Sequence, residues 1–224
     1  MLKHSFLKEY LAEFIGTFAL ILIGGGAVVA NTLTSGGVGL VGIALAHGLT
    51  IMAMVYLFAQ VSGAHFNPAV TVALAVDNRL PKIKAVAYIL CQLAGASVAA
   101  FCLSILFSSA TPQQLFGFPP VADILAGIRF EALMAFLLVL TVYGVAINKK
   151  APAGFAGIVI GSVIVLDIFF GGTQTGAAIN PARFFGPALV NGVNPFSPIY
   201  WIGPIVGALV GGLVGKFLFT DGKD

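Results

Sequence analysis

The sequence predicts an all-α integral membrane protein with six transmembrane helices and two re-entrant half-helices, built as an inverted three-helix repeat. Three observations support this fold class: the apolar composition, six apolar segments of spanning length, and two Asn-Pro-Ala triplets between them. The chain is 59% hydrophobic and 8% charged, whereas about 25% of the residues of a soluble domain are charged. So few charges cannot cover a surface that faces water, which excludes a soluble globular protein.

Each apolar segment is close to the roughly 20 residues that a helix needs to cross the hydrocarbon core. The segments cover residues 11–32, 39–60, 83–107, 128–148, 153–171 and 199–219. The first segment follows Lys3 and Lys8, and signal peptides also have basic residues before an apolar run. Because its apolar run is long enough to span and the internal symmetry requires it, we interpret it as a retained first helix.

The basic residues predict the orientation of the chain, because lysine and arginine concentrate in cytoplasmic loops. An even number of spans puts both termini on one side of the membrane. The basic residues on that side are Lys3, Lys8, Arg79, Lys82, Lys84, Lys149, Lys150, Lys216 and Lys223. The opposite loops carry Arg183, with Arg129 at the edge of the fourth span. We therefore expect cytoplasmic termini and the cell membrane, and nucleic acid is not an expected partner because the basic residues form no patch.

The two Asn-Pro-Ala triplets lie about half a chain length apart, at Asn67-Pro68-Ala69 and Asn180-Pro181-Ala182. An acidic residue in the first span of each half precedes them, Glu13 and Glu131. This symmetry predicts that the chain consists of two copies of a three-span unit within a single membrane domain. Because three is odd, the second copy enters the membrane from the opposite side. The predicted copies cover about 1–107 and 120–224.

Each triplet predicts the start of a helix, since Asn is a favoured N-cap and Pro a favoured first helical residue. The stretch after Asn67, PAVTVALAV, extends about 15 Å as a helix, which is half of the ~30 Å hydrocarbon core. The stretch after Asn180, PARFFGPALV, does the same from the other side. Both segments are therefore expected to re-enter, so that the two half-helices meet with their N-termini at the membrane centre.

The chemistry at this meeting point predicts a path for neutral molecules that excludes protons. Non-helical backbone at that depth has to be buried in protein or line water. If each Asn side-chain oxygen caps its own helix, both NH₂ groups are left as donors that face the lumen. A passing water then presents its oxygen and points its hydrogens away, which interrupts a proton chain. The two helix N-termini add positive potential, which disfavours cations.

The acidic residues within the spans allow two interpretations. Glu13 and Glu131 could relay protons or couple ions, or they could accept hydrogen bonds from loop N–H groups that the re-entrant backbone leaves unpaired. Their symmetric placement favours the second interpretation, a loop-scaffolding role. Asp167 has no counterpart in the first half, and both a subunit contact and the central axis stay open for it.

Four features carry a resemblance to the aquaporin, or major intrinsic protein, family over essentially the whole chain. They are AEFIGTF in the first span, SGAHFNPAVT, Glu131 in the fourth span, and GAAINPARFFGPA. The resemblance implies a right-handed helix bundle assembled as a homotetramer, with one pore per subunit and neither a cofactor nor a catalytic site. It also implies a passive channel for water that excludes protons and ions.

The resemblance places a selectivity ring near the outer mouth of the pore and a further pore-lining residue, His65, on the cytoplasmic side. The ring residues are His47, Ile168, Ala177 and Arg183. Strict water channels of the family have Phe and His at the first two ring positions, and glycerol facilitators have Trp and Gly. His and Ile there resemble the plant tonoplast-type subgroup and imply a wider, more apolar ring. Ammonia, urea, glycerol and hydrogen peroxide are therefore expected as further permeants.

Residues outside the ring favour water as the main permeant, and two alternatives stay open. Phe184 replaces the Ser usual in water channels and the Asp usual in glycerol facilitators, whereas Ala188 and Tyr200-Trp201 resemble water channels. One alternative is a glycerol-type facilitator. The other is an ion-coupled secondary transporter, since such transporters also use inverted repeats and broken helices. An enzyme is not expected, because the sequence offers no nucleophile–base pair, phosphate-binding loop or metal-ligand cluster.

Overall fold

The computed structural model describes residues 2–220, with side chains from residue 6 onward, and this part of the chain is helical without strands. Lys223 and the side chain of Lys3, two of the predicted topology signals, lie outside the described residues. Six helices of the described part are long and apolar enough to cross a membrane, and we call them spans one to six. They are Phe6–Leu33, Gly39–Ser62, Lys82–Leu106, Ile124–Ile147, Ala156–Thr175 and Pro198–Phe219. The predicted all-α, multi-pass membrane fold is confirmed.

Two shorter helices lie in the connections between spans, where the Asn-Pro-Ala triplets predict them. The first half-helix, Pro68–Val76, follows span two, and the second half-helix, Pro181–Val190, follows span five. Each preceding span ends at a glycine in the left-handed conformation, Gly63 with φ 88° and Gly176 with φ 82°. Glycine adopts this conformation without a steric penalty, so each span turns sharply into the loop that leads to its half-helix.

The structure differs from the sequence prediction at helix boundaries, such as the start of span four at Ile124 instead of 128, and in one loop. Span five continues to Thr175, beyond the apolar segment that the prediction ended at residue 171. The loop predicted at 108–127 contains a short helix, Pro112–Phe116, whose start is stabilised by reciprocal hydrogen bonds between Thr111 and Gln114. This capping box is a local signal that the sequence contains and that the prediction overlooked.

Spans one and four each contain a π-helical segment, which hydrophobic periodicity does not distinguish from an α-helix. Span one belongs to a helix that is α-helical over Leu2–Ala19, π-helical over Leu20–Gly25 and α-helical again over Gly26–Leu33. Span four is α-helical over Ile124–Val142 and π-helical over Tyr143–Ile147. Such segments occur frequently at functional sites, and both of these border the cavity described below.

The spans pack in pairs through small residues. Span one packs on span three, span four on span six, and span two on span five. Spans two and five approach each other at Gly48 and Gly161, where a Cβ on Gly161 would lie 2.6 Å from the Gly48 carbonyl oxygen. A Cβ on Gly211 of span six would lie equally close, at 2.6 Å, to the Phe136 carbonyl oxygen of span four. Small residues allow this approach of helix backbones, which stabilises helix pairs in lipid.

Candidate functional site

A cavity lies between the spans and the two half-helices and brings together most of the predicted pore residues. Pro68, Ala69, Pro181 and Ala182 of the triplets are not part of its lining. Stripes of residues spaced four apart line it on spans two and five, from His47 to Ala59 and from Ala156 to Ile168. Each stripe lies on one helix face and extends about 18 Å at ~1.5 Å per residue. The predicted residues that line this cavity are His47, His65, Asn67, Ile168, Ala177, Asn180 and Arg183.

The two half-helices begin at the Asn residues that the sequence predicts as N-caps. Asn67 Oδ1 accepts a hydrogen bond from the N–H of Ala69 at 2.8 Å, and Asn180 Oδ1 accepts one from the N–H of Ala182 at 2.9 Å. A proline occupies the start of each half-helix, where its missing N–H is not needed. The side-chain oxygens are therefore committed to the helices, which turns both NH₂ groups away from the caps.

The Asn NH₂ groups connect the two half-helix loops to each other. Asn67 Nδ2 donates to the carbonyl oxygen of Ile179 at 3.2 Å, and Asn180 Nδ2 donates to that of Phe66 at 2.8 Å. The half-helices therefore meet with their N-termini together, as predicted. Helix capping by the side-chain oxygens predicted that both NH₂ groups are free in the lumen, whereas one N–H of each amide binds the opposite loop. One N–H of each amide is left for the cavity that both side chains line.

The loops before the half-helices hold non-glycine residues in the left-handed conformation. Ala64 and Phe66 have φ values of 53° and 49°, and Ala177 and Ile179 have values of 46° and 61°. This conformation is rare for residues with a Cβ, and most unfavourable for a β-branched residue such as Ile179. Each such residue costs about 1–3 kcal/mol and persists only where its surroundings hold it. The two buried acids supply that support.

Glu13, on span one, is fully buried and binds the loop that precedes the first half-helix. Its Oε1 accepts from the N–H of His65 at 3.0 Å and from Ser62 Oγ at 2.7 Å. Its Oε2 accepts from the N–H of Phe66 at 2.7 Å and from Gln92 Nε2 at 2.7 Å. The carboxylate therefore satisfies loop N–H groups that have no helical or sheet partner.

Glu131, on span four, is also fully buried and binds the loop before the second half-helix. It accepts from Thr175 Oγ1 at 2.6 Å, from the N–H of Ala178 at 2.9 Å and from the N–H of Ile179 at 2.5 Å. Among the described residues, Thr175 is the counterpart of Ser62, but no side-chain amide donates to Glu131 in the way that Gln92 donates to Glu13. Both acids thus accept hydrogen bonds from N–H groups of a loop that precedes a half-helix, which supports the loop-scaffolding interpretation.

Arg183 lies in the first turn of the second half-helix, and its guanidinium lines the cavity. Its Nη1 donates to the carbonyl oxygens of Gly176 at 2.8 Å and Ala177 at 2.6 Å. The left-handed conformation of these two residues turns the chain so that both carbonyls reach the guanidinium. A buried cation is thereby held at a fixed place in the cavity wall.

His47 and Ile168 are buried side chains on spans two and five that line the same cavity. His47 Nδ1 lies 2.8 Å from the carbonyl oxygen of Ile43, so Nδ1 carries a hydrogen, and in the neutral ring Nε2 is then an acceptor. Nε2 has no hydrogen-bond partner among the described residues. Gly24 provides space for the ring, since a Cβ there would lie 2.5 Å from Nε2.

His65 and Asp167 occupy different surroundings. His65 lines the cavity, with Nδ1 at 3.1 Å from Thr71 Oγ1 and its ring edge-on to Tyr88 at 5.3 Å. Asp167 is 2% exposed, and its Oδ2 has no hydrogen-bond partner among the described residues. Because it is buried within one chain, Asp167 does not lie on a surface where it could contact another subunit.

Several further side chains support the loops although no sequence pattern predicted them. Tyr88 donates to the carbonyl oxygen of Ser62 at 2.8 Å, and Tyr200 donates to that of Thr175 at 2.8 Å. Each tyrosine thereby holds the end of a span next to a half-helix loop. Their partners lie far away in the sequence, so no local pattern indicates them. Gln92 could have been noticed, because a polar residue inside a span usually has a role.

The chain matches the model of one protein family, described as Major intrinsic protein, over residues 1–215. Probable aquaporin NIP4-2 of Arabidopsis thaliana is 40% identical over 96% of this chain and 76% of its own length. Nodulin-26 of Glycine max is 40% identical over 96% of this chain and 80% of its own length. The X-ray structure of the aquaglyceroporin from Plasmodium falciparum superposes with a TM-score of 0.81, at 24% identity and 97% coverage of both chains. At that identity the superposition shows the shared fold.

The relatives correct the subgroup expected from the ring residues. They are NIP-type, or nodulin-26-like, proteins, whereas the ring suggested a tonoplast-type resemblance, which is not supported. The expectation depended on a few side chains in the cavity wall, while the match to Probable aquaporin NIP4-2 extends over 215 residues. Four ring positions therefore indicate a subgroup less reliably than a match over nearly the whole chain.

Proposed function

Because this chain belongs to the major intrinsic protein family, whose members are passive channels and not enzymes, we propose that it conducts water as its main permeant. The observation that carries this proposal is the placement of Asn67 and Asn180 in a single cavity, at the joined N-termini of two half-helices. Small neutral solutes share the path, and protons and ions are excluded.

The proposed mechanism uses the N–H group that each Asn amide leaves for the cavity. A water molecule between Asn67 and Asn180 accepts with its oxygen, so its hydrogens point away along the path. A chain of waters that could relay a proton is interrupted there. The half-helix N-termini and the guanidinium of Arg183 add positive potential, a means of excluding protons and cations that is already known for aquaporin-type pores.

The proposed ring of His47, Ile168, Ala177 and Arg183 decides which other solutes pass. Ile168 offers no hydrogen-bond donor or acceptor, and the stripes on spans two and five that continue from the ring are largely apolar. An apolar wall suits uncharged solutes such as ammonia, urea, glycerol and hydrogen peroxide. The same observation favours a second candidate, a glycerol-type facilitator. In either case His65 lines the cytoplasmic part of the path.

The proposal includes an arrangement of the chain in the membrane. We propose that residues 1–107 and 120–224 are inverted copies within one channel domain, with Glu13 and Glu131 in matching scaffolding roles. The concentration of basic residues on one side places both termini in the cytoplasm, and the cell membrane is the proposed location. Four copies assemble as a homotetramer in the lipid bilayer, with one path in each subunit.

The test is stopped-flow measurement on proteoliposomes that contain the purified chain, with water, glycerol, urea and ammonia compared side by side. We expect fast osmotic shrinkage with a low activation energy, and no proton flux above that of empty liposomes. Glycerol flux that exceeds water flux relative to empty liposomes would favour the facilitator. Transport that requires an ion gradient and collapses with a proton uncoupler would overturn the channel proposal.

A further inference from the structure

Phe118, which lies between the short helix Pro112–Phe116 and span four, covers the guanidinium of Arg183. The Cζ atom of Arg183 lies 5.1 Å from the centroid of the Phe118 ring, within the range of a cation–π interaction. Arg183 is therefore held by two kinds of contact. Backbone carbonyls accept from Nη1, and an aromatic ring from a separate loop packs against the planar group.

The ring of Phe118 is itself fixed by aromatic neighbours. Its centroid lies 5.2 Å from that of Phe116, 5.2 Å from that of Phe184 and 5.4 Å from that of Tyr200. Gly176 leaves the space that the ring fills, because a Cβ there would lie 2.6 Å from Phe118 Cδ1. Phe118 thus packs on the residue whose carbonyl accepts from Arg183, which places the ring and that carbonyl together.

A smaller cavity lies beside this contact and shares Arg183 with the main cavity. Its wall includes Arg183, Phe118, Phe116, Leu103 and Pro187. The guanidinium therefore has unfilled space next to it in addition to the main path. A side chain without a planar ring at position 118 would enlarge that space and leave one face of the guanidinium without a contact.

We propose that Phe118 is a positioning residue for Arg183. The Phe118 ring keeps the guanidinium against the Gly176 and Ala177 carbonyls and thereby sets the width of the path. Phe118 is not one of the described residues that line the main cavity. It therefore acts through Arg183 and does not touch the permeant. The effect on permeation rests on the proposed function. The contact between Phe118 and Arg183 is a property of the fold and can be tested without transport.

The first measurement observes Arg183 directly. Arg79, Arg129 and Arg183 are the three arginines of the sequence, so an arginine-labelled sample in nanodiscs gives few Nε–H signals in an NMR spectrum. The variant R183V identifies the signal of Arg183. We expect a ring-current shift of that signal in the wild type and in F118Y, and its loss in F118L and F118M. The matched control F116L removes one of the three aromatic neighbours of Phe118 but leaves Phe184, Tyr200 and the space at Gly176 to hold its ring, so it should preserve the shift.

The second measurement compares glycerol and water permeability in proteoliposomes. F118L and F118M should raise the glycerol-to-water ratio about three- to tenfold, as expected for the loss of one cation–π contact, and F118Y and F116L should keep the wild-type ratio. In a protein that already carries R183V, the further change F118L should not alter the glycerol-to-water ratio. An unchanged Arg183 signal in both F118L and F118M, or an equal effect of F116L, would overturn the role of Phe118. A wild type that conducts no water would instead overturn the proposed function and leave the NMR result valid.

Discussion

Arg183 is a buried cation in the wall of a largely apolar cavity, and its surroundings explain why it is stable there. A charged side chain at membrane depth costs several kcal/mol, ~2.5–3.5 on an insertion scale. The carbonyls of Gly176 and Ala177 and the ring of Phe118 offset that cost. Because the charge faces the path, the same residue is suited to repel cations and to narrow the passage.

We expect Arg183→Val to widen the path and remove its positive charge. Glycerol permeability should rise by about tenfold or more, which requires a barrier change of only ~1.4 kcal/mol, and proton leak should rise above background. Proteoliposomes with glycerol and a pH-sensitive dye measure both quantities. Arg129→Val, on the exposed edge of span four, is the matched control with the same loss of charge. If the proton and cation leak of Arg183→Val stayed at the background level, Arg183 would not be the barrier to protons and cations.

We expect Glu131→Leu to destabilise the fold, because Thr175 Oγ1 and the N–H groups of Ala178 and Ile179 lose their acceptor. Each unsatisfied buried group costs about 1–3 kcal/mol, so a loss of about 3–5 kcal/mol in the free energy of unfolding is expected. Thermal unfolding in detergent, followed by the fluorescence of Trp201, measures it. Glu131→Gln keeps one acceptor oxygen, so its melting temperature should lie between those of Glu131→Leu and the wild type. An unchanged melting temperature for Glu131→Leu would contradict the scaffolding role.

At the scale of helices and loops, the half-helices depend on groups outside their own segments. Asn67 and Asn180 cap their helices locally, but their NH₂ groups bind the opposite loop. The strained loop residues are held by acids from spans one and four. The spans in turn can approach closely only where glycines leave room, as at Gly48 and Gly161. The position of the half-helices therefore follows from the packing of the spans.

We expect Gly161→Ala to destabilise the contact between spans two and five, since its Cβ would lie 2.6 Å from the Gly48 carbonyl oxygen. Overpacking of this kind costs about 1–3 kcal/mol. Gly212→Ala is the control, because the atoms nearest to a Cβ at position 212 belong to Tyr143 and lie at 3.6 Å, an ordinary contact distance. There the substitution should stabilise span six, since alanine is more favourable in a helix than glycine by about 0.8–1.0 kcal/mol. Unfolding temperatures of the two variants in detergent should move in opposite directions. Equal shifts would argue against close packing at Gly161.

At the scale of the whole molecule, Asp77 connects the first half-helix to the second half of the chain. It lies at the C-terminal end of that half-helix, where a negative charge is unfavourable. Its carboxylate accepts from Lys216 Nζ at 2.5 Å, from Tyr143 OH at 2.8 Å and from Arg79 Nε at 2.6 Å. Burial by itself raises the pKa of Asp77, but these donors outweigh it, so the pKa lies below its usual value of 3.8.

The lowered pKa of Asp77 predicts how stability depends on pH. Because the folded pKa is below the unfolded one, the contribution of Asp77 is complete at neutral pH and is lost as pH falls below about 4. Asp77→Asn should therefore be less stable than the wild type at pH 7, by about 1 kcal/mol since Lys216 is partly exposed. The difference should shrink at acid pH. Unfolding temperatures measured across pH test this, and a constant difference between the two proteins would contradict it.

Much of this fold could be predicted from the sequence, because it depends on local properties. The composition and the lengths of the apolar segments determine six membrane spans, and the Asn-Pro pairs determine where both half-helices begin. The buried acids Glu13 and Glu131 could also be identified, since ionisable residues within a span require partners.

The tertiary structure decided what depends on residues that are distant in the sequence. The contact of Asn67 with Ile179, which are 112 residues apart, and the packing of Phe118 on Arg183 have no local signature. The ring side chains suggested the wrong subgroup for a different reason, because four positions carry less information than a match over 215 residues. The sequence by itself determined the bundle and its half-helices, because apolar length and helix capping are properties of short segments. Only the tertiary structure determined how the cavity wall is held, because that depends on backbone and side-chain contacts between elements.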